Sequence, residues 1–517
     1  MYLFTKNYIT FRIETAEGAI LKEFEGATAA GKAFCGDTVV SRGDGCELIS
    51  RADHPPLVGV LELNTKVRHG FTARNVPLYL FTPSNEAYPP MLVASKETTR
   101  ENCLAVVAFE HWDEGTFPRG GLVKLLGACG SIDAEKAAVS LQYSPWSWST
   151  KTIPSILVSP PVEGRLVIDK PTINIDPRGC LDIDDTVSLW KEGKSWNLAI
   201  NIADVSAFVA LNPQLEFAEK IGQTLYSNSG HAIRPMFPTR FSEDAFSLIP
   251  GEERFCLSLI GKWDGKTLTG LEWKETLVRN WAAYTYENCM DATEIDIKVL
   301  MDIVKYLGYD TNDTHKWVEA LMVLYNTKAA ELIDSAGAGL LRTHDAPSKE
   351  KLLHMNDLGL PAKELAYPAA VYSTVDTHGG HWGLEKGLYC HASSPIRRYA
   401  DILNQTVIKN VLRGFAQVPS IYSKYALSLN RRDKAIKAYG RDCLFIDCVL
   451  GRPGTPVPGI VVEQNKKVSI YIADWKRIIR CDCTTIFAPG ECVIVGFYAN
   501  RLGRCWKKRM VYRIEKP

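Results

Sequence analysis

Four aspartates fall within one ten-residue stretch, DPRGCLDIDD, at Asp176, Asp182, Asp184 and Asp185. Carboxylates this close repel one another, so a cation must compensate them if all stay ionised away from water. Hard oxygen donors without His or Cys favour magnesium or manganese. A calcium loop fits poorly: counted from Asp182, the sixth position is Val187 and the twelfth Gly193, where a Gly and a Glu are wanted. The alternative is a solvated acidic turn.

The second chemical stretch is HASSPIRRYADIL, His391 to Leu403. Ser394 suits an N-cap and Pro395 a first helical position, so the pattern predicts a helix starting there. Ile396, Tyr399, Leu403 and Val407 supply its apolar stripe. Arg397 and Arg398 would then occupy the first turn, where the dipole disfavours cations. A phosphate or the acidic stretch would compensate them; an ordinary salt bridge is the alternative.

The elements that position these groups follow from periodicity. Apolar residues Val167, Ile168, Ile173 and Ile175 precede the aspartates, and TVSLW and WNLAINIA follow them. These read as strands, with Pro177 and Gly179 forcing an irregular segment between. Helical stripes run through Ile295, Val299, Leu300, Ile303, Val304 and Leu307, and through Trp317, Leu321, Leu324, Tyr325, Ala329 and Leu332. Both read as core. A further helix is expected over 421–447, with Arg431, Arg432, Lys434, Lys437 and Arg441 on it as a solvated face or an RNA contact.

The flanks are all-β. Residues 1–80 and 81–155 each alternate short apolar runs with turns and resemble oligonucleotide-binding barrels. Residues 451–517 return to strands and hold thirteen Lys and Arg against five Asp and Glu, a surplus of eight in a chain whose net charge is +1. A basic β-module is a candidate nucleic-acid grip. Of fourteen cysteines, Cys481, Cys483, Cys492 and Cys505 cluster here, but their spacing is atypical for zinc and buried thiols are the simpler reading.

A chain of 517 residues with 46% apolar content suggests several domains with ample cores. Scattered cysteines without C-x-x-C suit a reducing compartment. No run of eighteen apolar residues appears, and the first residues lack a signal-peptide core. The expectation is a soluble cytoplasmic protein, monomeric, with no membrane and no obligate protein partner. Metal-binding carboxylates, an arginine pair and small barrels together suggest metal-assisted phosphodiester hydrolysis on a nucleic acid. They leave RNA against DNA, and end against interior cleavage, open.

At these residues the sequence resembles the ribonuclease II/ribonuclease R family. D-P-x-x-x-x-D-x-D-D stands intact at Asp176–Asp185 and S-P-I-R-R-Y-A-D at Ser394–Asp401. IADVS (Ile202–Ser206), RPMFPTRFSEDAFSLIPGEER (Arg234–Arg254), LLRTH (Leu340–His344) and HWGL (His381–Leu384) match family segments in order. The resemblance implies an α+β multidomain chain in the compact ribonuclease II layout. It would have two cold-shock-like barrels (1–80, 81–155), a mixed α/β RNB-type catalytic domain (156–450) and an S1-type barrel (451–517). It implies a hydrolytic 3′→5′ exoribonuclease that degrades single-stranded RNA to nucleoside 5′-monophosphates, dependent on Mg²⁺, with Mn²⁺ as a substitute. It makes Asp176, Asp182, Asp184 and Asp185 catalytic metal ligands and Arg397 the catalytic arginine. RNA contacts are expected at Tyr226, His391, Ser394, Arg398, Lys507, Lys508 and Arg509. Asn201 and Ala207 stand where many members have His, and Gln405 replaces another His.

Two other readings remain. One is an RNA-binding protein on an inactivated RNB fold. The other is a haloacid-dehalogenase-type phosphatase, because DIDDT at Asp182–Thr186 also fits D-x-D-x-T. Those enzymes need an unbroken apolar strand before the first Asp, which Pro177 and Gly179 interrupt.

Overall fold

β-Branched and aromatic residues at alternating positions between 166 and 285 build the sheet that carries the acidic stretch. The computed structural model describes residues 1–15, 18–99, 101–149, 152–227, 230–377, 379–417, 421–500 and 510–516. The sheet has seven strands: β1 (Leu166–Ile168), β2 (Thr172–Asp176), β3 (Asp185–Glu192), β4 (Ser195–Ala203), β5 (Glu253–Trp263), β6 (Leu268–Arg279) and β7 (Ala282–Thr285). Their spatial order is β1-β6-β5-β4-β3-β2-β7. Pairing is antiparallel except at the edges, where β1 joins β6 and β7 joins β2 in parallel.

A buried polar chain crosses this sheet. Thr172 Oγ1 lies 2.7 Å from Ser188 Oγ, and Asn201 Nδ2 donates to Ser188 Oγ at 2.8 Å. Ser258 Oγ donates to Asn201 Oδ1 at 2.7 Å and lies 2.7 Å from Thr276 Oγ1. All five residues are fully buried, one on each of β2 to β6. Asn201 therefore has an internal partner on either side.

The expected helical stripes form helices Ile297–Tyr306 and Thr314–Ser335, the second labelled α2 after α1 (Val205–Leu211). Tyr325 of α2 donates its hydroxyl to the Leu257 carbonyl at 3.0 Å and meets Trp273 edge-on, which seats the helix on the sheet. The helix expected over 421–447 is Tyr422–Ile446.

The helix expected from Ser394 starts later. Helix α3 runs Tyr399–Leu412, with Arg398 extended at its N-cap. Residues 394–398 form a single turn instead, closed by the Arg398 N–H on the Ser394 carbonyl at 3.0 Å and held by the Ser394 N–H on the Asp401 carboxylate at 2.7 Å and the Ile396 N–H on Asp184 at 2.9 Å. Arg398 then pairs with Gln223 as an isolated bridge, the Tyr399 N–H donating to the Gly222 carbonyl at 2.9 Å and the Thr224 N–H to the Arg397 carbonyl at 3.0 Å, and this extended residue delays the helix.

The chain divides into two compact units. The unit just described comprises residues 147–346 and 368–433. The other comprises 1–146, 347–367 and 434–517. It contains a five-stranded antiparallel sheet between Tyr2 and Ser50, and a closed five-stranded barrel between Leu57 and Ala128. The break expected near residue 80 falls within the barrel strand Leu78–Pro83; the change of sheet comes between Ser50 and Leu57. The five strands between Val457 and Glu515 form a further sheet, against which Met355 and Leu360 pack through Val462 and Tyr471. That apolar contact groups 347–367 with this unit. Among the described residues, no helix is long and apolar enough to cross a membrane.

Asp204 fastens α3 to the sheet. Its fully buried carboxylate caps α1 and accepts from Lys409 Nζ at 2.6 Å and Arg165 Nη2 at 2.8 Å. Burial alone would raise its pKa, but Lys409 and Arg165 outweigh it and hold the carboxyl well below the usual carboxylate range. The folded pKa is depressed, so this stabilisation is present in full above about pH 4 and is lost only as pH falls further. Asp204→Asn should therefore destabilise by roughly 3 kcal/mol or more at neutral pH, by stranding buried Lys409 and leaving Arg165 only Glu275 at 3.2 Å. The gap between wild type and variant should narrow below about pH 4, as read by thermal unfolding across pH. A gap that stays constant across that range would remove the ion pair from the account.

Candidate active site

Asp176 ends β2 and Asp185 opens β3, with residues 177–184 looping between them. Gly179 takes φ +84° in this loop, a conformation that favours glycine. Ser247, from the RPMFPTRFSEDAFSLIPGEER segment, pins the loop. Its hydroxyl accepts from the Ile183 N–H at 3.0 Å and donates to the Leu181 carbonyl at 2.7 Å. Asn174 Nδ2 donates to Asp176 at 2.9 Å, and Asn280 Nδ2 donates to Asn174 Oδ1 at 2.8 Å.

Asp184 is 2% exposed and accepts two bonds from the 394–398 turn: the Ile396 N–H at 2.9 Å and Arg397 Nε at 3.1 Å. Arg397 also donates through Nη2 to Ser394 Oγ at 3.1 Å. Its side chain remains 47% exposed, so one edge of the guanidinium is engaged and the remainder faces outward. The Tyr226 hydroxyl donates to Asp182, and the Cys180 thiol lies 3.6 Å from the same carboxylate.

The electrostatics follow from burial and crowding. Burial pushes Asp184 up to about 7, against the pull of Arg397 and the Ile396 N–H. Asp185 is held well above the ordinary range by burial, then by Asp176 and Asp184. Asp176 is raised by burial, with Asn174 and Arg397 opposing. Tyr226 is raised by burial and then by Asp182, so its phenol stays protonated and donating. Arg397 is the cation whose charge reaches Asp176, Asp184 and Asp185.

Among the described residues, no group of three or more His, Cys, Asp and Glu is arranged to hold a metal ion. Asp184 is turned to Arg397 and Asp182 to Tyr226. The donor chemistry nonetheless fits a hard divalent cation: carboxylate oxygens, partly desolvated, with protonation favoured by mutual repulsion. Asp176 and Asp185 are the two not bonded to Arg397 or Tyr226.

The other expected contacts do not share one place. Ser394 is buried and supports Arg397. Arg398 turns inward, with Nε and Nη2 donating to Asp401 at 2.9 and 2.8 Å. His391 Nδ1 lies 2.9 Å from the Tyr372 hydroxyl, and burial, then Arg398 and Arg342, push its ring well below the usual histidine range. Lys507, Lys508 and Arg509 lie outside the described residues. Gln405, standing where the resemblance has a His, donates to the Ala203 carbonyl at 2.9 Å and helps α3 meet β4. The phosphatase reading fails on topology. Asp182 sits in a loop that runs into antiparallel β3, with no helix directly after it.

A family model of the RNB domain matches residues 165–298 and 291–414, which span the aspartate loop and the arginine turn. A model of the Dis3-like cold-shock domain 2 matches residues 78–144. The chain carries an RNB domain. Curated relatives of this RNB chain include a probable exosome complex exonuclease RRP44 of Caenorhabditis elegans, 24% identical over 80% of this chain and 54% of that protein. Ribonuclease R of Vibrio cholerae is 27% identical over 59% of this chain and 48% of its own length. The chain thus spans about half the length of these curated relatives. Among solved structures, Mycoplasma genitalium RNase R in complex with ribose-methylated single-stranded RNA superposes with a TM-score of 0.73 at 14% identity, covering 99% of this chain and 100% of that one. Yeast Ssd1, described as a pseudonuclease, gives 0.60 at 14% identity over 96% of this chain and 81% of its own. At that identity the likeness shows the RNB fold alone.

Sequence reasoning missed Asn326, Asn404 and Asp401, three buried polar residues under the arginine turn. Asp401 closes the quoted SPIRRYAD motif; Asn326 was hidden inside an apolar helical stripe, where a lone polar residue was the available signal.

The expectation that Asp185 is a metal ligand can be tested without catalysis. Asp185→Asn is expected to weaken Mn²⁺ binding at least about tenfold, by analogy with the effect of disturbing a metal site's carboxylates. Asp264→Asn, in the turn between β5 and β6 at the other end of the sheet, should leave it unchanged. Electron paramagnetic resonance titration of free Mn²⁺ reads both; equal affinities for wild type and Asp185→Asn would move the metal elsewhere.

Proposed function

We propose that this chain is a magnesium-dependent hydrolytic 3′→5′ exoribonuclease that degrades single-stranded RNA to nucleoside 5′-monophosphates, with Mn²⁺ able to replace Mg²⁺. It would act in the cytoplasm as a monomer, without an obligate protein partner. The observation that carries the reading is the half-exposed Arg397 guanidinium set against buried Asp184, beside Asp176 and Asp185, in an RNB domain. The names of its relatives, ribonuclease R and exosome exonuclease, support it.

In this reading Asp176 and Asp185 hold the cation, whose chemistry at such a site is acidification of a water and neutralisation of phosphoryl oxygens. The free edge of Arg397 meets the charge that grows on the scissile phosphate, a role worth about 10²–10³ in rate. Asp184 keeps that guanidinium in place and, with Asp182, belongs to the ligand set of the same cation. The Tyr226 ring stacks the terminal base, at about 1–3 kcal/mol and with little sequence preference. The 2′-OH is the group that would distinguish RNA. The β-modules at 1–155 and the basic segment 451–517 would track the phosphate backbone.

A second reading has its own support: a pseudonuclease shares the fold, so an RNA-binding protein on an inactivated RNB domain is the competing function. A 5′-labelled single-stranded RNA incubated with Mg²⁺ or EDTA separates the two. Mg²⁺-dependent shortening from the 3′ end is expected; intact RNA that is still bound would favour the binder. Asp184→Asn should abolish hydrolysis with affinity within a few-fold. Arg397→Ala should cut turnover by about 10²–10³ with a far smaller effect on binding. Loss of affinity with unchanged saturated turnover would make Arg397 a positioning residue only.

Tyr226 has two separable properties, a ring and a hydroxyl bonded to Asp182. Tyr226→Ala should change the length of the final oligonucleotide, whereas Tyr226→Phe, which keeps the ring, should not. Gel analysis of end products checks this, and an unchanged pattern for Tyr226→Ala would send the stacking role to another aromatic.

A further inference from the structure

Arg397 lies on a turn, outside helix α3, and its side chain is half exposed. A long side chain on such a turn has many rotamers to lose, so something must define where it starts. Asp184 fixes it from one side through the Ile396 N–H and Arg397 Nε. The opposite side is held by residues to which the proposed chemistry assigns nothing.

Asp401, on the first turn of α3, is fully buried. Its Oδ1 accepts from the Ser394 N–H at 2.7 Å and from Arg398 Nη2 at 2.8 Å, and its Oδ2 accepts from Arg398 Nε at 2.9 Å. One carboxylate thus ties both ends of the 394–398 turn, in a two-pronged pairing that fixes direction as well as distance. Ser394, held by its N–H, then accepts Arg397 Nη2 on its hydroxyl at 3.1 Å. Arg398 is consumed by this pairing, which leaves Arg397 as the guanidinium that can face outward.

The strand of chain leading into the turn has a second anchor. Asn326 of α2 is 2% exposed. Its Oδ1 accepts from the Ala392 N–H at 2.9 Å, and its Nδ2 donates to Ser393 Oγ and to the Tyr389 hydroxyl, each at 3.1 Å. Three bonds from one buried amide fix residues 389–393 immediately before Ser394.

We propose that Asp401 and Asn326 form a clasp that positions the Arg397 guanidinium, acting through the turn and never touching RNA. They are positioning residues, and the inference rests on the exoribonuclease reading for its catalytic consequence. A shift of about 1 Å in a group that must meet a transition state can cost about 10²-fold in rate.

The test uses the full chain carrying Asp401→Asn or Asn326→Ala, each alone and combined with Arg397→Ala. Turnover is measured at saturating single-stranded RNA with Mg²⁺, affinity is measured in EDTA, and amide hydrogen exchange is followed over 389–398. Each single clasp variant should lose about 10–100-fold in turnover with affinity within about threefold. In the Arg397→Ala background the same substitution should change turnover less than about twofold, because its route of action is already gone. Exchange should quicken over 389–398 while α3 beyond Ile402 and the central strands stay protected. Equal turnover losses with and without Arg397 would overturn the clasp, as would unchanged turnover. If Asp401→Asn does not fold, Asn326→Ala carries the same measurements. If the unaltered chain leaves RNA intact, the exoribonuclease reading falls and exchange alone decides the clasp: unchanged protection of 394–398 overturns it.

Discussion

The contact between Asp184 and the 394–398 turn is the constraint on which the site depends. A carboxylate that is 2% exposed is costly unless its charge is met and its oxygens are bonded. Here the donors are a backbone N–H and a guanidinium more than two hundred residues along the chain. Each stretch makes the other tenable. The loop after β2 could not bury Asp184 without the turn. The turn would lose the acceptor of its Ile396 N–H and of the Arg397 guanidinium without Asp184.

Such a contact requires both platforms to be rigid. On one side the sheet interior is polar where an apolar core would be expected. Thr172, Ser188, Asn201, Ser258 and Thr276 are each satisfied by a neighbour on the adjacent strand. A satisfied buried network specifies register, because a one-residue slip would strip every member of its partner. That register sets where β2 ends and β3 begins, and so the spacing of Asp176 and Asp185. On the other side, Asp204 with Lys409 and Arg165 fixes α3 against the sheet, which carries the base of the arginine turn.

Much of this was legible in the residues. The period-two runs at 167–175 and 186–203 gave the strands around the aspartates, and the 3.6-residue stripes gave the two helices. The local pattern misled at Ser394-Pro395. That pair is as good a helix start as sequence offers, but the backbone at Arg398 is drawn into an extended pairing with Gln223, so the helix is delayed to Tyr399. Arg397 and Arg398, told apart in sequence only by the family resemblance, are opposite in structure, one facing outward and one bound to Asp401. Nothing in their spacing distinguishes them, because the distinction is made by Asp401 and the fold around it. Residues 347–367 are likewise silent in sequence, since the apolar partners of Met355 and Leu360 lie about a hundred residues further on.

The shared fold of a pseudonuclease sharpens which residues speak for catalysis. Asp184 is a poor witness, because its bonds to Ile396 and Arg397 give it a structural reason to persist. Asp182 is similar, with the Tyr226 hydroxyl upon it. Arg398 and Asp401 serve each other. Asp185 is different. Burial and two neighbouring carboxylates raise it, only Arg397 opposes them, and among the described residues no side chain is seen to donate to it. An ionisable group held at such cost, with no bond to the fold in return, is the pattern expected where charge is kept for chemistry. A chain relieved of catalysis would gain stability by replacing Asp185 with a neutral residue, whereas replacing Asp184 would cost it the arginine turn. On the proposed reading Asp185, more than the number of aspartates, is therefore the residue that separates a nuclease from a binder.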